Sequence, residues 1–127
     1  KAAHATRTGD KWLICAEDPQ SSGAIIDQVR DLNGDGRPDA LVVEDGMFCN
    51  GSSGMRFSLV SKQADGQWRE LFASSGMAEI LSTKGVGGWP DISVGGPGFC
   101  FPVVRWNGTA YANHRMEYEG KPCRAGR

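Results

Sequence analysis

No run of apolar residues in this 127-residue sequence approaches the ~20 needed to span a bilayer as a helix. Nor is there an excess of either charge: 14 Lys and Arg face 15 Asp and Glu, a formal net charge of −1. Nucleic-acid binding rests on clustered basic side chains, and a membrane-surface patch needs a basic run; the sequence has neither. Histidine is scarce, with only His4 and His114, and no Cys-x-x-Cys pair exists, so the tight ligand spacing of a zinc site is missing. Long windows free of helix breakers are missing too, because the 18 glycines and 6 prolines are spread through the whole chain.

Short apolar runs separated by turn signals take the place of helices. Residues 11–16, 24–29, 40–44, 55–61, 67–72, 78–82, 91–94, 99–106 and 109–113 read as strands. Asp65-Gly66 and Asn107-Gly108 accept the positive φ values of tight hairpin turns. Strands so spaced and so joined predict an all-β fold: a small antiparallel sheet or partial-propeller-like β domain with long Gly-rich loops. A helical turn is expected only within residues 1–10 or 18–23. No linker or repeat divides the chain, so residues 1–127 read as one domain, with 1–10 a loosely ordered N-terminal segment.

The cysteines indicate the compartment. Cys15, Cys49, Cys100 and Cys123 are an even, widely spaced set in a Gly-rich small chain, the pattern of two disulfides formed in an oxidising compartment, periplasmic or extracellular. Three pairings are open; the sequential one, Cys15–Cys49 with Cys100–Cys123, closes the shortest loops. A start at Lys1 rather than Met is consistent with a mature form whose signal peptide is gone.

The most specific pattern lies at Asp31–Asp39, D-L-N-G-D-G-R-P-D. Calcium takes about six to eight oxygen ligands, and in a tightly curling loop alternate side chains converge on one point. Asp31, Asn33 and Asp35 occupy those alternate positions, Gly36 permits the sharp turn, the Arg37 carbonyl follows, and Asp39 closes the set. An EF-hand would place a bidentate Glu where Val42 stands, and would have helical rather than strand-like flanks. Three carboxylates this close also repel one another unless a cation intervenes. D-x-N-x-D-G-x-x-D between two short strands resembles the calcium loop of FG-GAP repeats, the blades of integrin-type β-propellers. The resemblance implies a Ca2+ ion held by Asp31, Asn33, Asp35, the Arg37 carbonyl and Asp39, and a blade-like sheet. A single copy of the motif is too little for a closed propeller.

Catalytic constellations are sparse. Gly51-Ser52-Ser53-Gly54 lacks nucleophile-elbow spacing, and the Gly-rich run 85–98 lacks the Lys-Ser/Thr ending of a phosphate loop. Glu44, Asp45, Glu70, Glu79 and Asp91 are eligible for a paired-carboxylate hydrolase, yet nothing singles out two of them. Asn50-Gly51-Ser52 and Asn107-Gly108-Thr109 match the glycosylation pattern as well as they match turns. Two Gly-rich segments carry large apolar groups, and Met47, Phe48, Trp89 and Phe99 become partner-binding anchors if exposed. The expectation is a non-enzymatic, exported, calcium-binding module that binds another protein, such as a periplasmic inhibitor or immunity protein against a cell-wall-degrading or toxic enzyme. The alternatives are a carbohydrate- or cell-surface-binding module using Trp12, Trp68, Trp89 or Trp106, and a small hydrolase.

Overall fold

A computed structural model describes residues 2–8, 11–15, 17, 21–46, 49–50 and 53–124. The described residues form eleven strands and no α-helix. A two-stranded ribbon, β1 (Thr6–Thr8) with β2 (Lys11–Leu13), precedes two larger sheets. The first is an antiparallel meander of β3 (Ala24–Arg30), β4 (Asp39–Asp45), β5 (Met55–Lys62) and β6 (Trp68–Ser75), each paired with the next in sequence. The second runs in the same manner through β7 (Met77–Lys84), β8 (Pro90–Gly95), β9 (Phe101–Trp106), β10 (Tyr111–Tyr118) and β11 (Lys121–Pro122). The all-β antiparallel fold expected from the turn spacing is thus the one observed.

Burial along the strands explains how the layers stack. Leu41, Phe57 and Leu59 of the first sheet meet Trp89, Ile92, Val104, Trp106 and Tyr111 in one core. Aromatic rings run across it from Phe57 to Phe72, then to Tyr111 and Trp106, with centroids 5.3–5.8 Å apart. Strand β5 is buried on both faces, because Val60 and its neighbour Ala40 point away from that core and lie under Ala3. The N-terminal segment is therefore a third, partial layer. Its first ten residues, expected to be loosely ordered, include a buried Ala3 and strand β1; Lys1, Gly9 and Asp10 lie outside the described residues.

Two carboxylates of β4 hold that layer in place. Glu44, fully buried, accepts the Ile14 N–H at 2.7 Å and the Cys15 N–H at 2.9 Å. Asp45 accepts the Ser22 N–H at 2.7 Å and both the Ser21 and Ser22 hydroxyls. Disulfides follow the sequential pairing: Cys15–Cys49 ties the N-terminal layer to the loop after β4, and Cys100–Cys123 ties the approach to β9 to the end of β11.

Some boundaries differ from expectation. Strand β10 continues past residue 113 to Tyr118 because it stays paired with β9 beyond a bulge at Asn113/Arg115. A 3-10 turn lies at Val86–Gly88 and Ser53 also has 3-10 conformation, whereas the described residues of 1–10 have no helical turn; of 18–23, residues 18–20 lie outside the described residues. The connections at Asp65-Gly66 and Asn107-Gly108 are longer than two residues, whereas Glu119 and Gly120, both at positive φ, form a two-residue turn between β10 and β11. Asn107, for example, uses its side-chain oxygen to accept the Thr109 and Ala110 N–H groups, both at 2.9 Å.

Candidate functional site

The acidic loop connects β3 to β4, the two strands that run along one edge of the first sheet. Asp31 organises it: Oδ1 accepts the Gly34 N–H at 2.8 Å and Oδ2 accepts the Gly36 N–H at 2.8 Å. Gly36 has φ +82°, a conformation that costs a residue with a side chain more than it costs glycine. Those N–H groups, Gly36 first, hold the Asp31 carboxyl below its usual pKa range and outweigh the opposing effect of burial. Asp35 accepts the Arg37 N–H at 2.8 Å and pairs with the Arg37 guanidinium at 3.2 Å.

Asp39 is different. Only 1% of it is exposed, its Oδ2 accepts the Leu32 N–H at 2.8 Å, and its Oδ1 has no hydrogen-bond partner. Burial pushes its pKa up; the nearby Ser61 hydroxyl and the Leu32 N–H oppose this, and the negative charges of Asp35 and Asp31 add to it. A buried carboxylate oxygen with no donor is a costly arrangement, and a cation relieves it. The donor set is all hard oxygen, which suits calcium rather than a softer metal. The carboxylates are nonetheless spread. Among the described residues the one set of three His, Cys, Asp or Glu ligand atoms within 4.8 Å of one another is Cys15, Glu17 and Cys49. That set offers no thiolate, because its two sulfurs are joined to each other.

The proposed anchors separate. Trp89 is 8% exposed and packs against Trp106 with ring centroids 5.9 Å apart, so it is a core residue and not a surface anchor. The glycines and proline around it form a closed turn, with the Gly85 N–H donating to the Trp89 carbonyl, that folds the ring inward. Phe99 is 77% exposed and meets Tyr118 edge-on. Met47 and Phe48 lie outside the described residues.

Of the four tryptophans only Trp12 and Trp68 are exposed, at 43% and 40%. Both line one groove of about 580 Å³ on the outer face of the first sheet. Its floor is Ala40, Val42 and Val60, and Ile25, Ile26 and Val29 of β3 form a wall. Small side chains at Ala2, Ala3 and Ala5 cover this face without filling it, and Gln67 is the only polar lining residue among the described residues. Sequence reading missed the groove. Its signal was strand β3, which carries apolar residues on both faces although it is an edge strand.

The eligible carboxylates do not form a pair in a cleft. Asp91 is fully buried and takes two hydrogen bonds from Arg105, at 2.9 and 2.8 Å, one from Arg115 at 2.9 Å and one from Thr83 at 2.6 Å. Burial alone raises its pKa; the Arg105, Thr83 and Arg115 hydrogen bonds outweigh that and hold it far below the usual range. Glu70 accepts the Ser58 hydroxyl and pairs with His4, while Glu79 stands exposed on β7. Asn50 is buried with its amide donating to the Gly46 carbonyl, whereas Asn107 lies exposed in its turn. No protein-family model, curated protein or solved structure matches the chain.

Proposed function

We propose that this is an exported, non-enzymatic calcium-binding protein that works by binding another polypeptide, as an inhibitor or immunity protein does when it caps a cell-wall-degrading or toxic enzyme. The observation that carries the calcium reading is the buried, unpartnered Oδ1 of Asp39, at the end of a loop that holds two more carboxylates, Asp31 and Asp35. Asp31, Asn33, Asp35, the Arg37 carbonyl and Asp39 would hold the ion, with Asp35 drawn from its pairing with Arg37. The four-stranded meander is the kind of sheet that the FG-GAP resemblance implies, and the loop joins its first two strands. Calcium supplies a cross-link between β3 and β4, a structural rather than a reactive part.

Two disulfides, and no helix among the described residues long and apolar enough to cross a membrane, accord with an exported protein. Polypeptide is favoured over carbohydrate because sugar hydroxyls need directional polar partners, and among the described residues lining the groove between Trp12 and Trp68 one, Gln67, has a polar side chain besides the tryptophans. The test mixes the purified protein, with calcium, with a panel of cell-wall-cleaving enzymes. Stoichiometric inhibition is expected. Turnover of a glycan by the protein alone, or no inhibition at any ratio, overturns the reading.

A further inference from the structure

At the opposite end of β4 from the acidic loop, the segment after β2 meets the loop after β4, and metal-ligand side chains converge there. The Oε1 of Glu17 lies 3.8 Å from the Cys15 sulfur and 3.9 Å from the Cys49 sulfur. A tetrahedral zinc ion with Zn–S bonds of ~2.3 Å and Zn–O bonds of ~2.0 Å separates an oxygen ligand from a sulfur ligand by about 3.5 Å, and two sulfurs by about 3.8 Å. The carboxylate therefore stands within a few tenths of an ångström of where such an ion needs it. The sulfurs, joined to each other, are the part that has to move.

Both cysteines are held by more than their shared bond. Cys15, 4% exposed, donates its N–H to Glu44 at 2.9 Å, and the Ile14 N–H reaches the same carboxylate at 2.7 Å. Beside Cys49, the buried Asn50 donates its side-chain amide to the Gly46 carbonyl at 2.9 Å, and the Gly46 N–H donates to the Gly54 carbonyl at 2.8 Å. Breaking the S–S bond leaves these anchors intact, so two sulfurs and a carboxylate still face one another. Cys49 and Glu17 are exposed, which leaves them room to turn as the sulfurs part.

We propose that reduction of the Cys15–Cys49 disulfide turns this cluster into a site for a thiophilic divalent cation such as zinc, held by the two thiolates and the Glu17 carboxylate, with water as the fourth ligand. A dithiol reductant supplies two electrons and is itself oxidised to a disulfide; the S–S bond breaks, two thiols form, and the cation displaces their protons as it binds. The ion then makes the connection that the disulfide made, from the N-terminal layer to the loop after β4. Thiolate donors select against calcium, so this site and the all-oxygen loop at Asp31–Asp39 take different ions. The site stands independently of the calcium and polypeptide readings above.

Cobalt(II) is the probe, as a spectroscopic substitute for zinc. The full chain is reduced with a dithiol, separated from it without air and titrated with cobalt. Thiolate-to-cobalt charge-transfer absorption is expected to saturate at a single ion, to vanish when zinc is added, and to be absent from the oxidised chain. Glu17→Ala, at an exposed position, is expected to weaken binding about tenfold or more, since even the loss of a ligand's hydrogen-bond partner costs about that much. Replacing Cys100 and Cys123 by serine is expected to leave the band in place. Circular dichroism accompanies each titration, so a reduced chain that has lost its strands is expected to regain them with the ion. The proposal is overturned by a reduced chain without the band, by unchanged affinity in Glu17→Ala, or by a band that follows Cys100 and Cys123 instead. Failure of the ion to refold a chain that reduction has unfolded overturns it as well.

Discussion

At Asp39 one carboxylate oxygen accepts the Leu32 N–H while the other, sealed from water, accepts nothing. A calcium ion that fills this gap binds the folded chain alone, so at a hundred times its dissociation constant it adds about 2.7 kcal/mol of stability. For a domain of this size that is a rise of about 10 °C in melting temperature. Calorimetry with calcium and then with chelator measures it, and Asp39→Asn is expected to remove the calcium-dependent part. Asp91 carries a second prediction, with the sign set by its depressed pKa. Its contribution is complete above the unfolded value near 3.8 and is lost as pH falls from there towards the folded pKa. Asp91→Asn is expected to cost about 2–3 kcal/mol at neutral pH, less than a fully buried pair because Arg105 and Arg115 stay partly exposed. The variant should lose less of its remaining stability than the parent between pH 4 and pH 2, as read by urea midpoints at each pH. These two acids differ in legibility. Asp39 belongs to a nine-residue pattern visible in the chain. The partners of Asp91 come from positions 8, 14 and 24 residues away on three other strands, and no local pattern joins them.

Among the elements, the strands and the cysteine pairing were legible because each has a local cause. Turn residues bound the strands, and loop closure favours the shorter disulfides. The groove was not legible, since it arises where an N-terminal segment of small residues lies over a sheet whose edge strand is apolar on both faces. Trp89 misled for a related reason. Its Gly and Pro neighbours signal a turn, but only the meeting of two sheets decides whether the ring faces in or out. The Cys100–Cys123 bridge gives an element-scale prediction. It holds β11, a strand of two residues, against β10, where Cys123 also donates its N–H to the Met116 carbonyl at 3.2 Å. Replacing both cysteines by serine is expected to cost about 3 kcal/mol on the chain-entropy account. Hydrogen exchange should then quicken at the end of β10 first, and unchanged protection there counts against a role for the bridge in holding β11.

The two sheets share their core and are joined by a single residue. Strand β6 ends at Ser75, β7 begins at Met77, and Gly76 turns the corner with φ +118° while donating its N–H to the Met55 carbonyl at 2.8 Å. A Cβ at this position would stand 2.5 Å from the Gly95 carbonyl oxygen, a contact that backbone must yield to relieve. Gly76→Ala therefore combines a disfavoured φ with a clash against the neighbouring strand, and a cost of about 2–3 kcal/mol is expected. What the loss looks like depends on whether either sheet stands alone. Leu41, Phe57 and Leu59 are covered on that face largely by Ile92, Val104, Trp89, Trp106 and Tyr111 of the second half of the chain, and a meander with a bare apolar face is not stable in water. Unfolding of Gly76→Ala in urea should accordingly remain one transition at a lower midpoint, with far-ultraviolet circular dichroism and tryptophan fluorescence coinciding. Two separated transitions would mean that each sheet keeps a core of its own, and that the corner at Gly76 joins two folding units rather than closing one.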